Sequence, residues 1–137
     1  MFGSDKNKSA RTGGGVETLI GPRVVIRGDV HFSGGLYIEG RIEGSVLADE
    51  ADPTALVTLS ERGSIEGEVR APHVIVNGQL HGDIYSSQRI ELAAAARVEG
   101  NVHYNSVEMV AGSMLTGRLI HQQSEPKRLS GPDKGEA

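Results

Sequence analysis

The 137-residue sequence contains no cysteine and no tryptophan, and only 4% of its residues are aromatic. The absence of cysteine excludes a disulfide framework and a thiolate metal site, and it is compatible with a reducing compartment. The scarcity of aromatic rings argues against a surface on which nucleic-acid bases stack. The net charge of −4 argues further against direct nucleic-acid binding through neutralised phosphates.

Long hydrophobic runs and nucleotide-binding motifs are missing too. The longest apolar run, Leu92 to Ala96, is far shorter than the roughly 20 residues of a membrane-spanning helix. The first ten residues lack the apolar stretch of a secretory signal. No phosphate-binding glycine loop followed by Lys-Ser/Thr occurs, so the sequence predicts neither a bound nucleotide nor any other cofactor or metal.

What the sequence does contain is one short motif, used eight times: aliphatic residue, any residue, glycine, any residue, aliphatic residue. Its period is about 17 residues once the acidic, proline-containing segment 48–54 is interpreted as a surface loop. That period is too short for helical repeats, and alternation within the motif indicates strands. The sequence therefore predicts an all-β fold, a β-solenoid of about six triangular turns with three short strands each. The glycines that define the turns are Gly28, Gly44, Gly67, Gly82, Gly100 and Gly117.

Stacking the repeats places their aliphatic residues in two columns that face the core. Between the columns lies the glycine, where we expect a narrow coil in which a Cβ atom would clash. The residues beside each glycine are polar and half of them are acidic, so we expect this outer face to be tolerated rather than cohesive. The predicted core residues are Ile26, Val30, Ile42, Val46, Ile65, Val69, Leu80, Ile84, Val98 and Val102.

Composition divides the chain into three segments: a tail at 1–18, the repeat core at 19–120 and a second tail at 121–137. All four lysines lie in the tails, whereas the core carries only arginine as its basic residue. Neither tail has enough apolar residues to offset the entropy of ordering, so both are expected to be disordered. No amphipathic cap is recognisable at either end of the core. The two open edges favour end-to-end association of copies.

The repeat core resembles the bactofilins, a family of bacterial cytoskeletal proteins, from Thr18 to about Ile120. The resemblance rests on the run Ile-Glu-Gly-Arg-Ile-Glu-Gly-Ser-Val at 38–46, on Ile-Glu-Gly-Glu-Val at 65–69, and on the near-17 period between short tails. It implies a right-handed β-helix that polymerises without nucleotide into non-polar filaments through head-to-head and tail-to-tail contacts. It also implies a scaffold rather than an enzyme, one that recruits cell-wall synthesis, remodelling or other morphogenesis proteins. The end-turn residues that would support such a polymer contact are Leu19, Ile20, Leu115, Leu119 and Ile120.

The same resemblance gives the first tail a role, because many bactofilins begin with Met-Phe followed by lysines. It implies a cytoplasmic protein, held peripherally at the inner face of the cytoplasmic membrane. A single copy would bind weakly, but a filament presents many copies and gains avidity. The residues matching this targeting peptide are Met1, Phe2, Lys6, Lys8 and Arg11.

Two other readings of a solenoid stay open at this point. A left-handed β-helix acyltransferase also steps by six residues and uses a histidine base, but here the six-residue step breaks repeatedly. His31 and His103 occupy equivalent positions four turns apart, roughly 19 Å, so they cannot share a metal or a proton. The third reading is a monomeric surface-binding solenoid, which would need an ordered flat outward array rather than the mixed charged columns found here.

Overall fold

The structure, a computed structural model, describes residues 17–122. Within that range the chain forms sixteen strands and no helix, and it winds through six turns of three strands each. Equivalent strands of successive turns pair in parallel, which produces three flat ladders of strands along the rod. The predicted all-β solenoid of about six turns is confirmed, while its right-handed winding stays a prediction.

The three ladders are named here face A, face B and face C, in the order in which the chain meets them. Face A consists of Thr18–Ile20, Gly35–Ile38, Leu56–Leu59, His73–Val76, Arg89–Leu92 and Ser106–Met109. Face B consists of Val25–Arg27, Arg41–Glu43, Ser64–Glu66, Gln79–His81 and the first halves of Arg97–Tyr104 and Met114–His121. Face C consists of Val30–Phe32, Val46–Ala48, Val69–Arg70, Ile84–Tyr85 and the second halves of those two long strands.

The structure contains both predicted aliphatic columns, and its strands pair in the register that the motif predicted. Strand pairing joins Ile26 to Leu115 through every turn on face B, and Val30 to Leu119 on face C. Eight of the ten predicted core residues are at most 1% exposed. Ile26 and Val30 are only half-buried, because the first turn has a neighbouring turn on one side only.

Face A supplies a third set of core side chains, of which only Ile38 and Val76 belong to a copy of the glycine motif. Its inward residues in turns 2 to 5 are at most 2% exposed. Each pairs with the equivalent residue one turn away, so the core is a stack of triangular layers. These residues are Leu36, Ile38, Val57, Leu59, Val74, Val76, Ile90 and Leu92.

The six turn-defining glycines, from Gly28 to Gly117, form a ladder at the corner between faces B and C. A Cβ atom on any of the five glycines from Gly44 to Gly117 would lie 1.9–2.1 Å from the carbonyl oxygen of the glycine one turn earlier. The predicted clash is confirmed, and its partner is the preceding glycine's backbone. Only glycine at this position allows consecutive turns to approach this closely.

The acidic residues beside the glycines are cohesive, and the expectation that this face is merely tolerated is wrong. On face C, Asp29 accepts a hydrogen bond from the backbone N–H of Ser45 in the next turn, at 3.0 Å. Asp83 does the same for the backbone N–H of Asn101, also at 3.0 Å. Since each carboxylate satisfies an amide of the following turn, it joins neighbouring turns, and a charge-assisted bond of this kind outweighs weak surface repulsion.

On face B, arginine separates the stacked glutamates. Glu43 and Glu66 are direct neighbours in the ladder, yet Arg41 contacts both, at 2.8 Å and 2.7 Å. Arg27 also contacts Glu43, at 3.3 Å. The hydrogen bond from Arg41 holds the pKa of Glu43 below its ordinary value. The repulsion expected between stacked glutamates is therefore offset by Arg41 from the adjacent outward column and by Arg27 from the same column.

Candidate self-assembly interface

The most exposed large apolar side chains of the described residues lie at the two ends of the rod. The seven exposed ones all belong to the first turn or to the last, and none belongs to turns 2 to 5. They are Leu19, Val24, Val25, Met109, Val110, Met114 and Leu119. An apolar concentration at both ends of a polar rod marks those ends as contact surfaces.

The last turn shows the cause, which is a missing neighbour. Leu119 is 42% exposed, whereas Val102, in the same column one turn earlier, is fully buried. Met109 is 44% exposed, whereas Leu92 below it is fully buried. Both side chains point inward, so they are core residues that lack a covering turn.

The first turn also exposes apolar side chains, while its inward residues Ile26 and Val30 are half-buried. Val24 at its corner is 42% exposed, and Val25 on the outer side of face B is 50% exposed. The strands of this turn have a paired neighbour on one side only, as do those of the last turn. Both ends of the described rod therefore offer backbone hydrogen-bonding edges as well as apolar side chains.

The five residues predicted for a polymer contact fall into two groups. Ile20, Leu115 and Leu119 occupy inward columns of the end turns, although Ile20 is only 7% exposed. Leu19 and Ile120 instead point outward from the sides of the rod, in register with Tyr37 and His103 respectively.

Sequence reasoning missed five of the seven exposed end residues, namely Val24, Val25, Met109, Val110 and Met114. Met109 ends an inward column of face A, and Val110 follows it at the corner. The signal was present, because Met109 aligns with the buried Leu92. It was overlooked because only two turns carry a glycine motif that begins on face A, so the columns of this face were not assembled from the sequence.

Histidines and carboxylates do not converge on a catalytic centre among the described residues. His31 and His103 lie in one outward column of face C, four turns apart, as predicted. His103 stacks on Tyr85 with ring centroids 4.3 Å apart, and His81 on face B lies 3.4 Å from Glu99. In residues 17–122 no group of three or more His, Asp or Glu side chains could hold a metal ion.

The residues predicted to target the membrane, Met1, Phe2, Lys6, Lys8 and Arg11, lie outside the described residues. Across the range 17–122, no helix long and apolar enough to cross a membrane is present.

Comparison with known proteins shows which family this chain resembles. Residues 18–120 match the family model described as Bactofilin, polymer-forming cytoskeletal. The chain is 30% identical over 112 residues to bactofilin BacP of Myxococcus xanthus strain DK1622, covering 82% of this chain but only 45% of BacP. It is 25% identical over 108 residues to bactofilin BacO of the same strain, covering 79% of this chain and 82% of BacO.

A solved structure has the same fold. The cryo-EM reconstruction of Thermus thermophilus bactofilin double helical filaments superposes with a TM-score of 0.60 at 24% identity, covering 77% of this chain and 99% of that one. The family model spans the six turns from the first strand to the last, including both apolar ends. This chain therefore belongs to the bactofilin family of polymer-forming cytoskeletal proteins.

Proposed function

We propose that this bactofilin assembles end to end into non-polar filaments without nucleotide, and that the filaments scaffold morphogenesis proteins at the inner face of the cytoplasmic membrane. The observation that carries the assembly step is the confinement of exposed large apolar side chains to the two end turns. A solenoid that ends in uncovered core can bury that core only against a further layer. A second copy supplies such a layer.

The contact energy available at the last turn is modest for each side chain. Covering the exposed parts of Leu119 and Met109 stabilises a junction by about 1 kcal/mol each. Contacts from Val110 and from newly paired strand edges add to this. A junction in which two last turns meet through a two-fold axis matches apolar surface with the same apolar surface. Non-polar filaments follow if the two first turns meet in the same manner.

Electron microscopy of the purified chain without nucleotide tests the assembly step. We expect the unmodified protein to form long thin filaments, and Leu119→Asp to abolish or strongly shorten them, because the junction would then bury an unpaired carboxylate. The matched control is Leu47→Asp, which alters a half-buried, outward leucine on face C of turn 2. It should leave filaments intact, and circular dichroism should show both variants folded.

Two results would contradict end-to-end assembly. One is that Leu119→Asp, folded, still forms filaments of ordinary length. The other is that the unmodified chain stays a compact trimer or a monomer, as an acyltransferase or a monomeric surface-binding solenoid would.

Membrane association is assigned to Met1 and Phe2, with Lys6, Lys8 and Arg11 attracted to anionic lipid. Each apolar residue contributes about 2–3 kcal/mol at best, so one chain binds weakly and a filament binds by avidity. Phe2→Glu should lose co-sedimentation with vesicles of phosphatidylglycerol while still forming filaments. Co-sedimentation equal to that of the unmodified protein would refute the targeting role.

The support for recruitment is the surface that an end-to-end filament leaves free. All three faces of turns 2 to 5 stay exposed and recur once per subunit, which suits multivalent capture of morphogenesis proteins. Affinity capture from lysates with filaments, compared with the assembly-deficient Leu119→Asp protein, tests this. A partner set that is the same for both would contradict a role for the polymer.

A further inference from the structure

The edge of the rod where face C ends and face A begins, named here the C–A edge, carries the acidic loop 48–54. A groove of about 400 Å³ follows this edge from Asp49 in the loop to Gln122, the last described residue. It is also lined by the chain that joins the two faces at 71–72 and at 86–88. The groove therefore extends over turns 2 to 6 along one side of the rod.

Carboxylates dominate the charge of this groove. Of the described residues that line it, Asp49, Glu50 and Asp52 are acidic and Arg70 alone is basic. Arg70 already forms an ion pair with Glu68, so it leaves the excess of negative charge in place. Asp52 uses both of its carboxylate oxygens in hydrogen bonds close by, whereas Asp49 and Glu50 are exposed on the loop. An occupant of the groove needs positive charge opposite these two.

Apolar surface adjoins the carboxylates. Pro53 is exposed, and Pro72 and Tyr85 are half-buried along the same groove. On the other side of the loop a second groove, of about 840 Å³, is lined by Phe32 and Leu47, and it shares the two exposed carboxylates with the first. A segment that combines bases with an apolar side chain suits this surface, because it meets opposite charge and covers apolar area at once.

The second tail leaves the rod at the end of this groove nearest the last turn. The last strand ends at His121, and the backbone N–H of Gln122 donates to the carbonyl oxygen of Tyr104 at 2.6 Å. Since Gln122 also lines the groove, the residues after it start there. Residues 123–129 read Gln-Ser-Glu-Pro-Lys-Arg-Leu, so two adjacent bases precede a leucine. This is the combination that the groove suits.

The length of this segment matches the distance to the loop. Asp49 follows face C of turn 2 and Gln122 follows face C of turn 6, so they lie four turns apart, about 19 Å along the rod. Lys127 is five residues beyond Gln122, and five extended residues span at most about 18 Å. Pro126 favours an extended conformation in Glu125 before it, and the Lys127 side chain adds the remaining reach. Glu125 itself stops about two turns short of the loop.

We propose that residues 125–129 of the second tail dock in this groove on their own subunit. Lys127 and Arg128 lie beside the exposed carboxylates of the loop, and the leucine after them covers apolar surface there. A short tether gives an effective concentration in the millimolar range, so contacts too weak for separate molecules are populated within one chain. A docked tail occupies the C–A edge, and another protein that brings a basic segment to this edge must displace it.

Distances between two spin labels test the docked position, because the chain has no native cysteine. Ala51→Cys places one label at an exposed position in the loop, and Ser130→Cys places the other directly after the docked segment. The doubly labelled chain is assembled with a large excess of unlabelled chain, so that pulsed electron paramagnetic resonance measures only distances within one subunit. We expect a narrow population of short distances.

Charge reversals in the labelled chain identify the contact. Lys127→Glu should lower the ratio of short to long distances about fivefold, because an exposed charge attraction is replaced by repulsion. The matched control is Lys134→Glu, which makes the same change in the same tail beyond the docked segment and should leave the ratio unchanged. Adding Glu50→Lys to Lys127→Glu restores a pair of opposite charges and should return most of the short population.

Four results would overturn the docking. The first is a broad distribution of long distances without any charge reversal. The second is a short population that disappears on dilution with unlabelled chain, since the tail of a neighbouring subunit would then fill the groove. The third is an equal effect of Lys127→Glu and Lys134→Glu. The fourth is a short population between Ala51→Cys and Ser9→Cys in place of the one with Ser130→Cys, which would assign the groove to the first tail.

Discussion

Replacing Gly82 by alanine tests whether the glycine ladder holds the turns at their observed spacing. The added Cβ atom would lie 2.1 Å from the carbonyl oxygen and 2.7 Å from the carbonyl carbon of Gly67. Since a carbon and an oxygen normally approach no closer than about 3.3 Å, the two turns would have to separate by more than about 1 Å. Hydrogen bonds of 2.9 Å from Gly67 and Gly82 to their neighbouring turns oppose that movement.

The same glycine also has a backbone conformation that alanine resists. Its φ of +145° is in the region that L-residues rarely adopt. That conformation costs alanine about 1–2 kcal/mol, and overpacking typically adds about 1–3 kcal/mol or more. The sum, about 2–5 kcal/mol, is a large share of the stability of a typical domain.

Gly28 provides the matched control, because it occupies the same motif position in the first turn. Its φ is +133°, but no atom lies within 4 Å of the site of a Cβ. Gly28→Ala should therefore lower the free energy of unfolding only through its unfavourable backbone conformation. The difference in stability between Gly82→Ala and Gly28→Ala then measures the effect of the clash. Thermal unfolding at equal, low protein concentration should place Gly82→Ala at least about 4 °C below Gly28→Ala. Equal midpoints for the two variants would refute the close-approach explanation.

Two further predictions concern the core and the acidic loop. Val98 is 1% exposed, so Val98→Asp buries an unpaired carboxylate and should unfold the rod, which circular dichroism would detect. The neighbouring substitution Glu99→Asp should leave the protein folded. A folded Val98→Asp protein would contradict the core assignment. Asp52 accepts hydrogen bonds from the Thr54 hydroxyl at 2.7 Å and from the N–H of Gly34 at 2.8 Å, and these bonds hold its pKa below the ordinary value. Its stabilising effect is therefore complete above the ordinary aspartate pKa of about 3.9, and is lost as pH falls through the lower folded value. Hydrogen exchange at the Gly34 amide should accelerate in that acidic window, and Asp52→Asn should remove this pH dependence; unchanged exchange would refute the role of the carboxylate.

The solenoid and its register could be predicted from the sequence because the glycine motif occurs at the same corner of every turn, so aligning its copies aligns the strands. One glycine between two aliphatic residues fixes an inward pair on each side of a corner, and the columns from Ile26 to Leu115 and from Val30 to Leu119 follow. On face A only Ile38 and Val76 begin a copy of the motif, so the inward column that ends at the uncovered Met109 was not predicted.

Side-chain partnerships could not be predicted from column identities alone. The sequence suggests that Glu43 and Glu66 repel, since they are neighbours in one column. It does not show that Arg41, from a different column, reaches across to both. The hydrogen bond from Ser45 to Asp29 is similarly invisible, because it depends on where a carboxylate points within a turn.

The glycine ladder keeps the spacing between turns constant, so the number of turns determines the length of the rod. Every turn contacts its neighbours through the same columns, so a duplicated turn fits between two existing ones without altering either end. Each added turn lengthens the subunit by about 4.8 Å. The number of turns in the chain thus sets the distance between successive junctions in its polymer, and hence the spacing between molecules bound along the filament.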